Sequence, residues 1–440
     1  MNSLLHKVVA RLIRTGALTL TDAGGQTRTY GDGTGTPVHV AVKSHAAERA
    51  IALDPMLALP EAYMDGEFVM LDGDLVDFLR VAFTNMGEGM AGAALPARLL
   101  EGARFAMRRL QQFNPAGRAR QNVHRHYDLS GEMYRLFLDA DMQYSCAYFA
   151  RPDMTLEEAQ LAKKQHITAK LNVQRGDSVL DIGSGWGGLA LYIAQQYDAE
   201  VLGVTLSTEQ HAVSTRRAQE AGLENHVHFE LRDYRDLSER FDRIVSVGMF
   251  EHVGVNHYRT FFKKCATLLK PGGVMLLHTI GRSGPPSATN AFIRKYIFPG
   301  GYIPALSEVM PAIEKSGLVV TDIEVLRLHY AETLKHWRQR FLANRKRAVE
   351  IYDERFARMW EFYLAGSEAA FRWQDMVNFQ IQITKKNDVL PITREYIHET
   401  EMELAKTDAA ASAGSKVAAM AAAAAKPAPK KRRRKLAPGE

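Results

Sequence analysis

A chain of 440 residues with ordinary globular composition is too long for one typical domain and long enough to bury a sizeable core in each of two. Two cysteines at unrelated positions, Cys146 and Cys265, exclude a disulfide framework and cysteine metal-ligand spacing, and they point to a reducing, cytoplasmic setting. The formal charge of +6 is confined to the C-terminal end, where Lys416, Lys426, Lys430, Lys431, Arg432, Arg433, Arg434 and Lys435 outweigh Asp408 and Glu440, so the body is formally neutral.

In chain order, Leu4, Leu5, Val8, Val9, Leu12 and Ile13 recur at helical spacing and predict an amphipathic first helix. His6, Lys7, Arg11 and Arg14 interrupt its apolar run, which argues against a signal peptide, and no later stretch is apolar enough to span a bilayer. "ALTLTD", "QTRTYGDG" and "VHVAV" predict short strands between glycine-rich turns, so residues 1–115 are expected to form a small mixed α+β domain ending near Pro115 and Gly117. From Val173, "SVLDIG", "EVLGVTL", "VHFELRDY", "RIVSVGM" and "VMLLHTIG" alternate with helical segments, which predicts a parallel, doubly wound α/β sheet. After Tyr330, aromatic residues at helical spacing, among them Trp337, Phe341, Tyr352, Phe356, Trp360 and Tyr363, predict a helical cover over the sheet's binding edge. Residues 407–440, rich in alanine and basic side chains, offer no core and are expected to be disordered.

The chemistry begins at "VLDIGSGWGG", residues 179–188, where a strand runs through a glycine-rich turn into a helix. Such a crevice at a strand's carboxyl end receives nucleotide-like ligands, and Gly183, Ser184, Gly185, Trp186 and Gly187 are its candidate lining. A dinucleotide's pyrophosphate needs bare N–H groups, whereas a sulfonium cofactor with an amino acid tail tolerates a carboxylate such as Asp181. "TLSTEQ" ends the second strand with Thr205, Leu206, Ser207 and Gln210 where a dinucleotide site would want an acid. "RDY" ends the third with Asp233 and Tyr234, suited to adenine, and "FDRIVSVGMFEH" ends the fourth with Glu251 and His252 toward the crevice. S-adenosyl-L-methionine fits this set best.

The blocks "HYDLSGEMYRLFLD", "MQYSCAYF", "LDIGSGWGG", "GVTLSTEQ", "RIVSVGMFEHVG" and "LLHTIG" together resemble the cyclopropane-fatty-acid synthases and their mycolic-acid relatives, over residues from about 50 to about 390. The resemblance implies a Rossmann-like methyltransferase domain with helical cover over residues 116–400, and an N-terminal domain that receives lipid. It implies methyl transfer from S-adenosylmethionine to the cis double bond of a phospholipid acyl chain, then loss of a proton and ring closure. It adds Tyr144 and Ser145 to the cofactor residues, and it implies a bicarbonate ion coordinated by Cys146, Glu251, His278, Tyr330 and the backbone amide of Ile280. Cys146 would then be a wall of the site and not a nucleophile. The implied enzyme sits on the inner membrane face, pairs as a homodimer, binds phospholipid substrate and has no nucleic-acid partner. Ala147 and Ala331 depart from residues common in relatives and would reshape the acyl channel.

That reaction has physical demands of its own. An alkene is a poor nucleophile, so the site must align it with the methyl donor in an apolar channel, and aromatic faces must support the developing cation. Blander readings stand beside this one: Cys146 and Cys265 as core thiols, Glu251 and His252 as strand-end caps, His278 as a core imidazole, the late aromatics as packing. His124, His126 and Asp128 alternate as metal ligands could, but no further ligand stands at metal spacing, so no metal is expected. The rival activities are an unsaturated fatty-acid methyltransferase with methyl-branched or methylene product, an O- or N-methyltransferase on a small molecule or nucleic acid recruited by the basic tail, and a lipid carrier without chemistry.

Overall fold

A computed structural model describes residues 4–86, 95–112 and 131–424. The expected boundary at Pro115, the residues His124, His126 and Asp128, and the "KKRRRK" run lie outside the described residues. The N-terminal domain opens with α1 (Leu4–Leu12) and the three expected strands β1 (Leu18–Thr21), β2 (Thr27–Tyr30) and β3 (Val38–Val42). Strict alternation in β3 buries Val38, Val40 and Val42 on one face, as a half-covered sheet requires. After α2 (His45–Leu53) and α3 (Pro55–Met64), an unforeseen strand β4 (Phe68–Asp72) completes the sheet in the order β2-β1-β3-β4. Two helices follow, α4 (Leu75–Met86) and α5 (Leu95–Gln111).

The second domain begins with a short helix α6 (Gly131–Arg135) and the long α7 (Leu156–Leu171). Thr155 and Glu158 start α7 with a reciprocal capping box, and Asn172 ends it in the left-handed conformation. The five expected strands follow as β5 (Ser178–Ile182), β6 (Glu200–Thr205), β7 (Val227–Leu231), β8 (Phe241–Val247) and β9 (Leu269–Arg282). Between them lie α8 (Gly188–Tyr197), α9 (Thr208–Glu220) and α10 (Tyr258–Leu268). Then come α11 (Leu306–Glu314), β10 (Val319–Leu326), the cover helices α12 (His329–Ala343), α13 (Arg345–Ile351) and α14 (Glu354–Trp373), β11 (Met376–Thr384) and α15 (Glu395–Ala424).

The sheet runs β10-β11-β9-β8-β5-β6-β7: the five expected strands pair in parallel, and two unforeseen strands extend them, β11 lying antiparallel to both of its neighbours. The reason lies in the cover. Helix α14 returns the chain beside the carboxyl end of β9, where Met376 pairs with Arg282, so a strand starting there must run backward. The cover also joins the domains, because α14 packs on α3 and α4. Glu61 accepts from Lys295 Nζ at 2.6 Å and Tyr296 Oη at 2.7 Å, and Arg355 pairs with Asp65 at 2.7 Å. At the C-terminal end the expectation of disorder is corrected. Helix α15 continues past residue 407, and Asp408 accepts from Tyr192 Oη at 2.9 Å and from Gln165 and Gln196 at 2.8 Å. Alanine is the strongest helix former, so a helix anchored on α7 extends through a run that could build no core of its own. Among the described residues, no helix is long and apolar enough to cross a membrane.

Candidate active site

The crevice opens where β5 ends. Gly183 has φ +83°, and a Cβ there would lie 2.8 Å from the Met249 side chain, so only glycine lets the turn pass. Gly183, Ser184, Gly185 and Trp186 line the resulting cavity with Asp181 beneath them. Thr205 and Leu206 reach it from the end of β6, Gln210 from the first turn of α9, and Asp233 and Tyr234 from the segment after β7. Tyr144 and Ser145 form a further wall. Two expected residues stand behind the cavity instead of lining it. Gly187 occupies the N-cap of α8 at φ +84°, where a Cβ would meet Phe229 at 2.6 Å, and Ser207 caps α9 by accepting from Gln210 N. Thr205 donates to Gln210 Oε1 at 3.0 Å, and Arg235 clasps both Asp233 oxygens, at 2.9 and 2.6 Å. The Asp181 carboxyl is buried with no hydrogen-bond partner among the described residues, and burial pushes it up to about 7 against the pull of Lys163.

Beyond Ser145 the character changes. Cys146 is buried in an aromatic cluster, and burial pushes its thiol far up, so it remains a neutral thiol. Its segment is fastened from two helices. Gln160 of α7 donates to the Gln143 and Ser145 carbonyls, while on α12 Thr333 Oγ1 accepts from Ala147 N at 3.0 Å and His329 Nδ1 from Phe149 N at 2.9 Å. Tyr144 stacks on Trp337 with centroids 5.2 Å apart and meets Tyr363 Oη at 3.0 Å. Tyr330 stands edge-on to Trp337 and 5.0 Å from Phe371.

Glu251 sits in the turn after β8. Its Oε1 accepts from Ile280 N at 2.6 Å, its Oε2 is buried without a partner among the described residues, and burial raises it to about 7 despite the Ile280 and Thr279 hydrogen bonds. His278 lies one register across from Gln380, and its two ring nitrogens face the amides of Asn378 at 3.0 Å and Gln380 at 3.1 Å. A neutral imidazole carries one N–H, so one of these amides must turn its oxygen inward, and among the described residues both amide oxygens are otherwise unpartnered. Burial depresses His278 to about 3, with Lys163 and His166 adding to the effect. Thus Glu251 and Ile280 are in direct contact, Cys146, Tyr330 and Ile280 share one apolar cluster, and His278 is drawn toward β11.

Lys163, Gln160, Thr333 and His329 were not among the residues expected. A signal existed for the first two: Leu156, Ala159, Gln160, Lys163, Ile167 and Lys170 share the buried face of α7, and a lysine on such a face asks for a partner. Thr333 and His329 carried none, because their partners lie about 180 residues away.

A family model described as mycolic acid cyclopropane synthetase matches residues 115–381, and one described as a domain of unknown function, DUF7884, matches residues 5–93. The cyclopropane-fatty-acyl-phospholipid synthase of Escherichia coli K12 is 40% identical over 351 residues, covering 79% of this chain and 88% of that one. A probable fatty acid methyltransferase of Pseudomonas putida is 45% identical over 253 residues, 56% of this chain but only 64% of its own length, under two thirds. The solved structure of mycolic acid cyclopropane synthase CmaA1 complexed with SAH and CTAB is similar at 36% identity with a TM-score of 0.58, covering 62% of this chain and 99% of that chain.

Proposed function

The chain belongs to the mycolic acid cyclopropane synthetase family, and from that premise we propose that it is a cyclopropane-fatty-acyl-phospholipid synthase dependent on S-adenosylmethionine. The observation that carries the reading is the adjacency of two unlike regions: a crevice with a buried carboxyl that makes no hydrogen bond among the described residues, and an aromatic cluster that holds Cys146 and reaches Glu251 through Ile280. A cationic cofactor suits the first, and bound there it supplies an electrophilic methyl group. An acyl chain suits the second. The π electrons of its double bond form a bond to the methyl carbon as the carbon–sulfur bond breaks toward sulfur, leaving a cation on the other alkene carbon. The faces of Tyr144, Trp337 and Tyr330 support that charge and exclude water. Loss of a proton from the new methyl frees the electron pair that closes the ring.

Glu251, poised at about 7, is the residue here able to accept or relay that proton. The Glu251 Oε2, without a partner among the described residues, also fits a small oxyanion that brings its own hydrogen, so Glu251 with Cys146 and Tyr330 would hold bicarbonate, whereas Ile280 N and His278 would join only by giving up their present bonds to Glu251 and to the β11 amides. Bicarbonate held there would serve as a base. The neutral thiol of Cys146 and the neutral imidazole of His278 suit hydrogen bonding and not attack.

Peripheral docking on a phospholipid surface is part of the proposal. Helix α5 exposes Leu99, Leu100, Phe105 and Met107, with Arg108 over the Phe105 ring at 3.8 Å, a pattern suited to an anionic interface. Pairing into homodimers is tested by sedimentation. For the activity, methyl-labelled S-adenosylmethionine and vesicles of cis-monounsaturated phospholipid should yield ring-containing fatty acid methyl esters. Label confined to water-soluble material would overturn the reading, and a saturated branched product would move it to a fatty acid methyltransferase.

A further inference from the structure

Lys163 lies midway along α7, completely buried, and lines the same cavity as Asp181. It donates to Gln143 Oε1 at 2.5 Å and to Ser145 Oγ at 2.8 Å, which are both neutral acceptors. An ammonium has three N–H groups, and a buried cation without a counter-charge is costly by several kcal/mol. Yet among the described residues no carboxylate comes within ion-pair distance of Lys163. Asp141 is taken by Lys164 and Arg217, and Asp139 by the backbone N–H groups of Asp141 and Gln143. Burial accordingly pushes the ammonium down to about 8, although Asp139 and Asp141 oppose the shift. One cavity therefore contains a buried cation with no carboxylate in contact and a buried carboxyl with no hydrogen bond among the described residues, the two attracting each other only across the space between them.

We propose that Lys163 seats the carboxylate of the cofactor's amino acid tail while Asp181 takes the ammonium of that same tail. This rests on the reading of the crevice as an S-adenosylmethionine site and assigns its polar end. A zwitterionic tail meets a zwitterionic pair, so neither side chain stays unpaired when the site fills. Ser145, already bonded to Lys163, ties this seat to the segment that carries Cys146 one residue later.

The test uses the full chain and two ligands in calorimetry: S-adenosylhomocysteine, which has the tail, and 5′-methylthioadenosine, which lacks it. Lys163→Met should weaken S-adenosylhomocysteine about ten- to a hundredfold and leave methylthioadenosine within about twofold, as expected for loss of a charged hydrogen bond. Lys163→Gln keeps a donor for Gln143 or Ser145 and should show the same selectivity, and circular dichroism reports whether each variant folds. Equal weakening of both ligands would make Lys163 a mere prop of the loop, and no weakening of either would remove it from the site. Unchanged affinities with a lost dependence of turnover on added bicarbonate would reassign it to an anion beside Cys146. Each of these outcomes overturns the proposal. If the unaltered protein bound neither ligand, the cofactor reading itself would fall first.

Discussion

The crevice proposed for the cofactor and the aromatic cluster proposed for the acyl chain meet at Ser145 and Cys146, and each has beside it one buried carboxyl pushed up to about 7, Asp181 at the first and Glu251 at the second. They are wired differently. Asp181 makes no hydrogen bond among the described residues and feels Lys163 only from a distance, so on the proposed reading a cationic ligand would pair with it. Glu251 spends one oxygen on the Ile280 amide and leaves the other open, an arrangement that fixes its orientation and keeps a site for proton exchange. On the proposed reading the first region binds and the second reacts, so variants around Glu251 should spare cofactor affinity.

Glu251→Gln gives the largest expected effect. Turnover should fall about a thousandfold or more while S-adenosylhomocysteine affinity stays within about twofold, since the loss is of proton transfer alone. The same change should stabilise the fold at high pH. Glu251 titrates near 7 in the folded chain against 4.5 ordinarily, so between those values the folded state retains a proton that the unfolded chain has released. Stability therefore falls as pH rises from about 4.5 through about 7, and at pH 8 the glutamine variant should be more stable by about 1–3 kcal/mol in urea unfolding. Turnover of the unaltered enzyme should rise through the same interval. A parallel loss of cofactor affinity would erase the distinction between the two regions.

Thr333→Val tests how the pocket is hung. It strips the acceptor from Ala147 N in a buried setting, at a cost of about 1–3 kcal/mol, and should lower turnover about tenfold with cofactor affinity kept. Thermal melting and calorimetry on one preparation read both. A variant that lost cofactor binding as well would show that the two regions move as one.

The same contrast explains what the amino-acid sequence disclosed. The crevice is written in contiguous pieces, a strand, a glycine turn and a helix start, so residues 179–188 and 205–210 placed most of its lining, and Gly187 and Ser207 were misplaced only by one layer. The five parallel strands were equally plain. Strand β11 was not, because "MVNFQIQIT" is buried on both faces and mixes amides with apolar residues, which breaks simple periodicity. The roles of Cys146, Glu251, His278, Ile280 and Tyr330 came from resemblance, Lys163 left a trace in the buried face of α7 that was not used, and Thr333 and His329 came only from the fold. Long-range hydrogen bonds leave no local pattern.

A smaller effect separates the delivery of lipid from both sites. Phe105→Glu on α5 removes an exposed ring from the apolar face and adds a negative charge. Co-sedimentation with anionic vesicles should drop several-fold, in keeping with loss of roughly 1–3 kcal/mol of interfacial contact. S-adenosylhomocysteine affinity should not change. Undiminished vesicle binding would move the docking face away from α5.

The smallest expected effect concerns a stack that reaches the pocket from outside. His166 of α7 lies between Glu401 and Glu324, the latter at 2.8 Å, and its ring lies 4.1 Å from Tyr148 at 8°. Tyr148 in turn stacks on His329, which accepts the Phe149 amide and so steadies the Cys146 segment. Burial alone would depress the imidazole, and Lys170, which also pairs with Glu324, works in that direction, but the bonds to Glu324 and Glu401 outweigh both and hold it above its ordinary 6.5. A group raised in the folded state contributes stability that is complete below pH 6.5 and is lost as pH climbs through the folded value. Unfolding free energy should therefore fall as pH rises above 6.5 through the folded value, and His166→Gln should flatten that part of the slope. If the stack transmits the change, the unaltered enzyme's turnover will decline over the same alkaline range more steeply than the variant's, while the two will show the same pH dependence of S-adenosylhomocysteine affinity. A variant with the original slope in both readouts would show that the charge on His166 stops at Glu324 and Glu401 and never reaches the pocket.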